Sequence, residues 1–370
     1  MVDQKKLPSY IFLPPDAAQR QAELTRNGTY KLLPSEVRWR DRQRFLEGKG
    51  YLLRPRYKPR WRPSWTGTNL DPEFCEDFIV SDNPDVIDAT RLKDGLRVSI
   101  KPVRKNGQEL KIAQFLSSLT DPANHCVEVL DVLDDPLDPS RSLMIMQYLR
   151  PYNDPEFTML GDVVAFVTQM LEGLAFLHSQ RVAHRDIAPP NIMMDGRPLF
   201  PQGHHPVWRN RSMDAIEDLT PLHRMDHPVK YFYVDFGLSV RFPPGSSTLV
   251  VGDVGRDAEV PELSSTVPYD AFKADIYALG NLFDKEFEQR YHRLQFLRPL
   301  IDSMKQREPE LRPTADQLVE SFANTCKTLD TARFRWRLAP KSEPAYERLF
   351  NDTVAAAKDS LSQLRRFVGP

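Results

Sequence analysis

The sequence predicts an α+β protein, a small β-rich part followed by a larger and mainly helical one, and three observations predict it. DVIDATR and RVSIKPV are short β-branched runs on either side of an Asp-Gly at 94–95, the pattern of a hairpin. GQELKIAQFLSSL then reads as a helix, and CVEVLDVL and SLMIMQYL read as two further strands. From residue 162, DVVAFVTQMLEGLAFLHSQ sets Val163, Phe166, Val167, Met170, Leu171, Leu174 and Leu177 at helical spacing. After it, only short strands around VAHRDIAPPNIMMD (182–195) and YFYVDFG (231–237) interrupt helix and loop.

Upstream of the hairpin, FIV (78–80) reads as one more short strand, and DAAQRQAELTR as a helical stretch. Residues 38–65 are basic and rich in Trp and Tyr, a composition that suits a nucleic-acid surface. The competing reading is an amphipathic helix with Trp39, Phe45 and Leu46 on one side, leading into an arm that Pro55, Pro59 and Pro63 keep extended. That reading is preferred, and nucleic acid is not an expected partner. A helical tail is expected around 343–367. The division follows as 1–75 for the N-terminal extension and basic aromatic arm, 76–148 for the β-rich part, 149–330 for the helical part and 331–370 for the tail.

Composition narrows the setting. Of 370 residues, 41% are apolar and 27% charged, which is ordinary for a globular chain. Lys plus Arg is 50 against 51 for Asp plus Glu, so no global field points to nucleic acid or a membrane. MVDQKKLPSY lacks the apolar core of a signal peptide. No apolar run is read as reaching the roughly eighteen residues of a membrane span. Cys75, Cys126 and Cys326 are far apart and form no disulfide or zinc pattern. An intracellular, cytoplasmic protein without a membrane partner is the expectation.

The stretch VAHRDIAPPNIMMD carries the chemistry. Strand-loop-strand geometry brings Asp186, Asn191 and Asp235 within reach of one another. Asn191 and Asp235 suit a hard cation such as Mg2+, which prefers oxygen ligands and phosphates, and Asp186 is left to orient and deprotonate an attacking hydroxyl. His-Arg-Asp, an Asn five residues later and Asp-Phe-Gly, in that order, resemble the signature of the eukaryotic protein kinases. The resemblance runs through residues about 76 to 326. It implies a two-lobed protein-kinase-like fold, with an N-lobe over 76–148 and a C-lobe over 149–330 that carries an insert at about 196–230.

It also implies roles. VSIK at 98–101 resembles the family's Val-Ala-Ile-Lys, which makes Lys101 the ligand of the ATP α- and β-phosphates and Glu109 its ion-pair partner. Met146 would back the adenine pocket, Gln147 and Leu149 would offer backbone groups to the base, and Met193 would form the floor. Arg185 and Asp186 join Lys101 as catalytic residues; Asn191 and Asp235 are the Mg2+ ligands. VPEL at 260–263 resembles the Ala-Pro-Glu segment, whose Glu262 would pair with Arg312 of RPTADQL, and Asp275 matches the buried Asp that holds the catalytic loop. LEGKGYLLRPRY, TGTNLDPEFCED and VIDATRLKDG are similar to segments of a fungal group of protein-kinase-like proteins.

Three departures from the pattern matter. No G-x-G-x-x-G precedes DVIDATR, and the loop position reads SDNPD at 81–85. Ala188 stands where many serine/threonine kinases carry a Lys that touches the transferred phosphate. Arg256 stands where the family has the Thr that pairs with that Lys. One missing preorganised donor costs about 10²–10³-fold in rate, so a slow enzyme is expected. The resemblance thus implies an ATP- and Mg2+-dependent phosphotransferase acting on a Ser or Thr hydroxyl of a protein. A nucleotide-binding pseudokinase scaffold is the alternative. A small-molecule kinase of the choline or aminoglycoside type ranks third, because those carry His-Gly-Asp. His204, His205, His223 and His227 in the insert raise a metal site against a packed surface loop.

Overall fold

The computed structural model describes residues 7–368, the last of them, from 358 on, as backbone only. They divide into two compact units, each assembled from three stretches of chain. The first takes residues up to Lys105, Val129–Tyr148 and Phe200–Leu222; the second takes Asn106–Glu128, Leu149–Leu199 and the chain from His223 onward.

In the first unit, α1 (Pro15–Arg26) and α2 (Pro34–Gly48) precede an antiparallel sheet. Its strands are β1 (Tyr51–Leu52), β2 (Ile87–Arg91), β3 (Arg97–Arg104), β4 (Val129–Asp134) and β5 (Arg141–Gln147), in the order β1-β2-β3-β5-β4. The expected hairpin joins β2 to β3. Gly95 takes φ 73° at its turn, where a residue with a Cβ is disfavoured, and Leu96 N–H donates to Asp94 Oδ1. Alternation then sorts the side chains. Ile87, Ala89, Val98, Ile100, Leu143 and Ile145 lie on the face covered by Trp39 and Leu46 of α2 together with Tyr51, Leu53 and Tyr57. The residues between them, Ser99, Lys101, Met144 and Met146, lie on the opposite face.

FIV does not form a strand. Residues 76–78 make a 3-10 turn and Ile79, 2% exposed, gives its carbonyl to Arg54 Nη1 at 2.8 Å. The strand that pairs with β2 comes instead from Tyr51–Leu52, through Tyr51↔Arg91 and Leu52↔Thr90. Residues 53–86 therefore form the connection between the first two strands of the sheet. Its charges point inward: Arg54 pairs with Asp88 and Arg56 with Glu36, while Arg42 of α2 pairs with Asp135, every one of these side chains buried. Trp39, Tyr57 and Trp65 are buried too. The basic aromatic stretch spends these groups on packing.

The second unit begins with α3 (Gln108–Ser117) and β6 (Arg150–Pro151) and is centred on α4 (Leu160–Ser179). Then come β7 (Val182–Ala183), β8 (Ile192–Met194), β9 (Tyr231–Tyr233), β10 (Val240–Arg241), β11 (Leu249–Gly252) and β12 (Ser264–Asp270). The helices α5 (Ala271–Phe283), α6 (Arg298–Met304), α7 (Ala315–Thr328) and α8 (Ala345–Val368) complete it. By length and composition α4 is apolar enough to cross a membrane, contrary to the sequence reading. Here that apolarity fills a core: Val163, Phe166, Val167, Met170, Leu171, Leu174 and Leu177 are at most 1% exposed. Phe166 meets the rings of Tyr152, Tyr231, Phe283 and Phe287. A capping box starts α7, with Thr314 N–H donating to Gln317 Oε1 and Gln317 N–H to Thr314 Oγ1. The β11–β12 ribbon leaves no mark in the sequence, because strands of four and seven residues with an irregular register carry little periodicity.

Candidate active site

The site residues of the second unit are positioned by short ladders. After α4, β7 pairs with β10 through Ala183↔Val240, which delivers His184 and Arg185 to the loop that follows. Pro189 and Pro190 then open a 3-10 turn, where their fixed φ is suitable and their missing N–H is not needed. The turn closes with Asn191 N–H donating to Ala188 O at 2.9 Å. β8 continues directly and pairs with β9, Ile192 facing Tyr233. Val234 N–H donates to Asn191 O, so Asn191 and Asp235 sit at the same end of one antiparallel pair.

The loop is anchored from below by Asp275, 1% exposed, near the start of α5. Its carboxylate accepts from His184 N–H at 2.8 Å, Arg185 N–H at 2.7 Å and His178 Nε2 at 3.1 Å. Arg185 takes φ 64°, an unfavourable left-handed conformation for such a residue, and Asp275 holds it there. Asp235 also takes φ 64°, with its Oδ1 accepting from Gly237 N–H. His184 is fully buried; its Nε2 faces Val234 O and its Nδ1 accepts from Asp186 N–H, which sets the neutral Nε2–H tautomer. Burial depresses its pKa, against the nearby Asp275 charge.

Asp186, 9% exposed, is the convergence point. Asn191 Nδ2 donates to Asp186 Oδ2 at 2.7 Å and to its backbone O at 2.8 Å. From the other side, Arg256 N–H donates to Oδ1 at 2.7 Å and Arg256 Nε lies 3.3 Å from Oδ2. Arg185 reaches Leu238 O and Val251 O with its two Nη groups. The backbone comes that close because residue 252 is glycine: at φ 136°, an added Cβ would lie 2.8 Å from Arg185 Nη2. The arrangement presents a carboxylate for a hydroxyl proton beside an amide and a second carboxylate able to ligate a hard cation.

The protein kinase domain family matches residues 84–290, more than half of the chain. The chain belongs to the protein kinase family. The serine/threonine-protein kinase shk1/pak1 of Schizosaccharomyces pombe is 29% identical over 115 residues, 30% of this chain and 18% of that protein. The MAP kinase kinase kinase wis4 of the same yeast is 59% identical over 35 residues, 10% of this chain and 2% of that protein. The chain thus spans under a fifth of the length of either of these relatives.

Within this kinase chain, the expected site residues fall in both units. Lys101 lies on β3 opposite Met144, and Met146 and Gln147 close β5 opposite Ser99 and Val98, all in the first unit. Arg185, Asp186, Asn191 and Asp235 lie in the second unit, as do Leu149, Met193 on β8 opposite Phe232, and Glu109 in the first turn of α3. A Cβ added at Gly237 would lie 3.8 Å from Glu109 Oε2, so α3 brings its carboxylate close to the Asp235-Phe236-Gly237 turn. Glu262 and Arg312 form the expected pair, Nη2 to Oε2 at 2.9 Å, with the Arg312 side chain fully buried. Among the insert's histidines, His204 Nδ1 approaches His205 O, and His205 Nδ1 accepts from Val207 and Trp208 N–H. Among the described residues no group of three or more His, Cys, Asp or Glu gathers at metal-binding distance.

The residue whose contact the sequence did not show is Arg256. Its position opposite the missing Lys was noticeable, but its hydrogen bonds to Asp186 join residues 70 apart in the chain.

Proposed function

We propose that the chain is an ATP- and Mg2+-dependent phosphotransferase that acts on a Ser or Thr hydroxyl of a protein. The observation that carries this reading is Asp186, held by Asn191 Nδ2 at 2.7 Å on a loop whose backbone Asp275 anchors. Asp186 takes the hydroxyl proton as the acceptor oxygen attacks. For Mg2+ the donor set fits: Asn191 donates its amide N–H to Asp186, so its oxygen would hold the cation together with Asp235, which lies at the same end of the β8–β9 pair. When bound, the ion would neutralise phosphate charge. The free thiols, Cys75 and Cys126 buried, support a reducing intracellular setting.

A pseudokinase scaffold is the second reading, favoured by the connection between β1 and β2. Residues 53–86 bring the buried Arg54, Arg56 and Asp77 there instead of a glycine loop for phosphates. One experiment separates the two. Purified protein is assayed for Mg2+-dependent ATP turnover with a Ser/Thr peptide mixture, Asp186→Asn as control, and for the melting shift caused by MgATP. Turnover above the control supports the kinase. A melting shift without Asp186-dependent turnover supports the scaffold, and neither response removes both readings.

A further inference from the structure

Asp186 has a cationic neighbour that the established family membership does not assign. Arg256 Nε lies 3.3 Å from Asp186 Oδ2, and the Arg256 side chain is 53% exposed, so one edge of the guanidinium meets the carboxylate while the rest reaches outward. Its place is fixed on both sides. Asp257, the next residue, accepts from Asn281 Nδ2 at 2.9 and 3.0 Å, and Glu259 pairs with Lys285 at 2.7 Å. On the other side, Tyr269 OH donates to Gly252 O at 2.7 Å, and Arg185 Nη2 donates to Val251 O. The backbone N–H of Arg256 is itself spent on Asp186 Oδ1. A guanidinium on such a mounting is positioned beforehand and pays little ordering entropy when a ligand arrives.

Ala188, two residues beyond Asp186, is 6% exposed and offers no polar side-chain group. In the proposed reaction the acceptor oxygen bonds to the γ-phosphorus and the bond from that phosphorus to the bridging oxygen breaks. The electron pair leaves with ADP and the hydroxyl proton goes to Asp186. Negative charge on the phosphoryl oxygens needs a donor beside the base. We infer that Arg256, from the segment ahead of α5, supplies that charge, in place of a cation on the catalytic loop. The guanidinium bridges Asp186 and the transferred phosphoryl group. This rests on the phosphotransferase reading above.

The test has three arms on the full chain. Arg256→Ala is expected to lower kcat by about 10–10³-fold, with the KM for MgATP little changed, because the group acts on the moving phosphate. Arg256→Lys retains part of the rate, and Ala188→Lys added to Arg256→Ala restores part of it. The readout without turnover is calorimetry: Arg256→Ala weakens binding of MgADP with aluminium fluoride and leaves binding of MgADP alone unchanged. Because the side chain is half exposed, its removal spares the core, and a melting curve checks this. If wild type shows no Asp186-dependent turnover, the phosphotransferase reading fails first. If wild type turns over and Arg256→Ala is as fast or faster, Arg256 is a restraint on Asp186 and the inference alone is overturned. Equal loss of MgADP and MgADP–aluminium fluoride binding also overturns it.

Discussion

At the scale of single residues, the second unit stores buried polar groups in defined protonation states, and His125 is the clearest. It is 3% exposed, its Nδ1 donates to Tyr231 O at 2.7 Å, and Glu172 is 3.9 Å from its Nε2. Burial lowers its pKa from 6.5 to about 4, opposed by the Tyr231 hydrogen bond. A histidine depressed in the folded state is neutral there and charges more easily when unfolded. Its contribution is complete above about pH 6.5 and is lost as pH falls toward 4. The loss reaches about 3 kcal/mol at the acid end. Urea unfolding between pH 7 and 4 is expected to show it, and His125→Gln to flatten the curve by a similar amount. Identical pH dependence in the two proteins counts against a neutral, buried His125. His184 is depressed in the same direction, so some acid sensitivity remains in the variant.

At the scale of elements, the segment from Gly252 to Leu263 is tied to β12 by Tyr269 at one end, to α5 by Asn281 in its middle and to Arg312 near its other end. Arg312, ahead of α7, donates to Glu262 and to Lys273 O on α5, and stacks on Tyr277 with 4.8 Å between guanidinium carbon and ring centroid. Its side chain is fully buried, so removing it strands Glu262 and leaves backbone carbonyls unpaired. Arg312→Ala is expected to cost about 3–5 kcal/mol, seen as a lower denaturant midpoint. An unshifted midpoint is incompatible with the buried pair. Here residue and element were legible together: Glu262, Arg312 and Asp275 each sit in a recognisable short motif, and each makes the contact that the motif implies. The β11–β12 ribbon beside them was not legible, since its pairing Gly252↔Ser264 depends on a bulge and not on alternation.

At the scale of the whole molecule, the stretch that matches the kinase family starts at residue 84, yet the first unit is not complete there. Strand β1 and helix α2 come from before it and cover Ile87, Val98, Ile100, Leu143 and Ile145. A fragment of residues 84–290 leaves that apolar face and a strand edge open, so it is expected to aggregate or stay unfolded, as read by circular dichroism and light scattering. A soluble, cooperatively melting fragment counts against an essential role for the preceding arm. The sequence by itself determined the helix α4 through its apolar period, the β2–β3 hairpin through Asp-Gly, and the meeting of Asp186 with Asn191 through five residues of loop. All of these are local, set by side-chain period or backbone preference within one continuous stretch of chain. Only the tertiary structure decided that Tyr51–Leu52 and not FIV borders the sheet, that the arm's arginines turn inward, and that Arg256 grips Asp186. A two-residue strand has no period to read, and an ion pair between residues 70 apart exists only because separate elements pack their apolar faces and carry it into place.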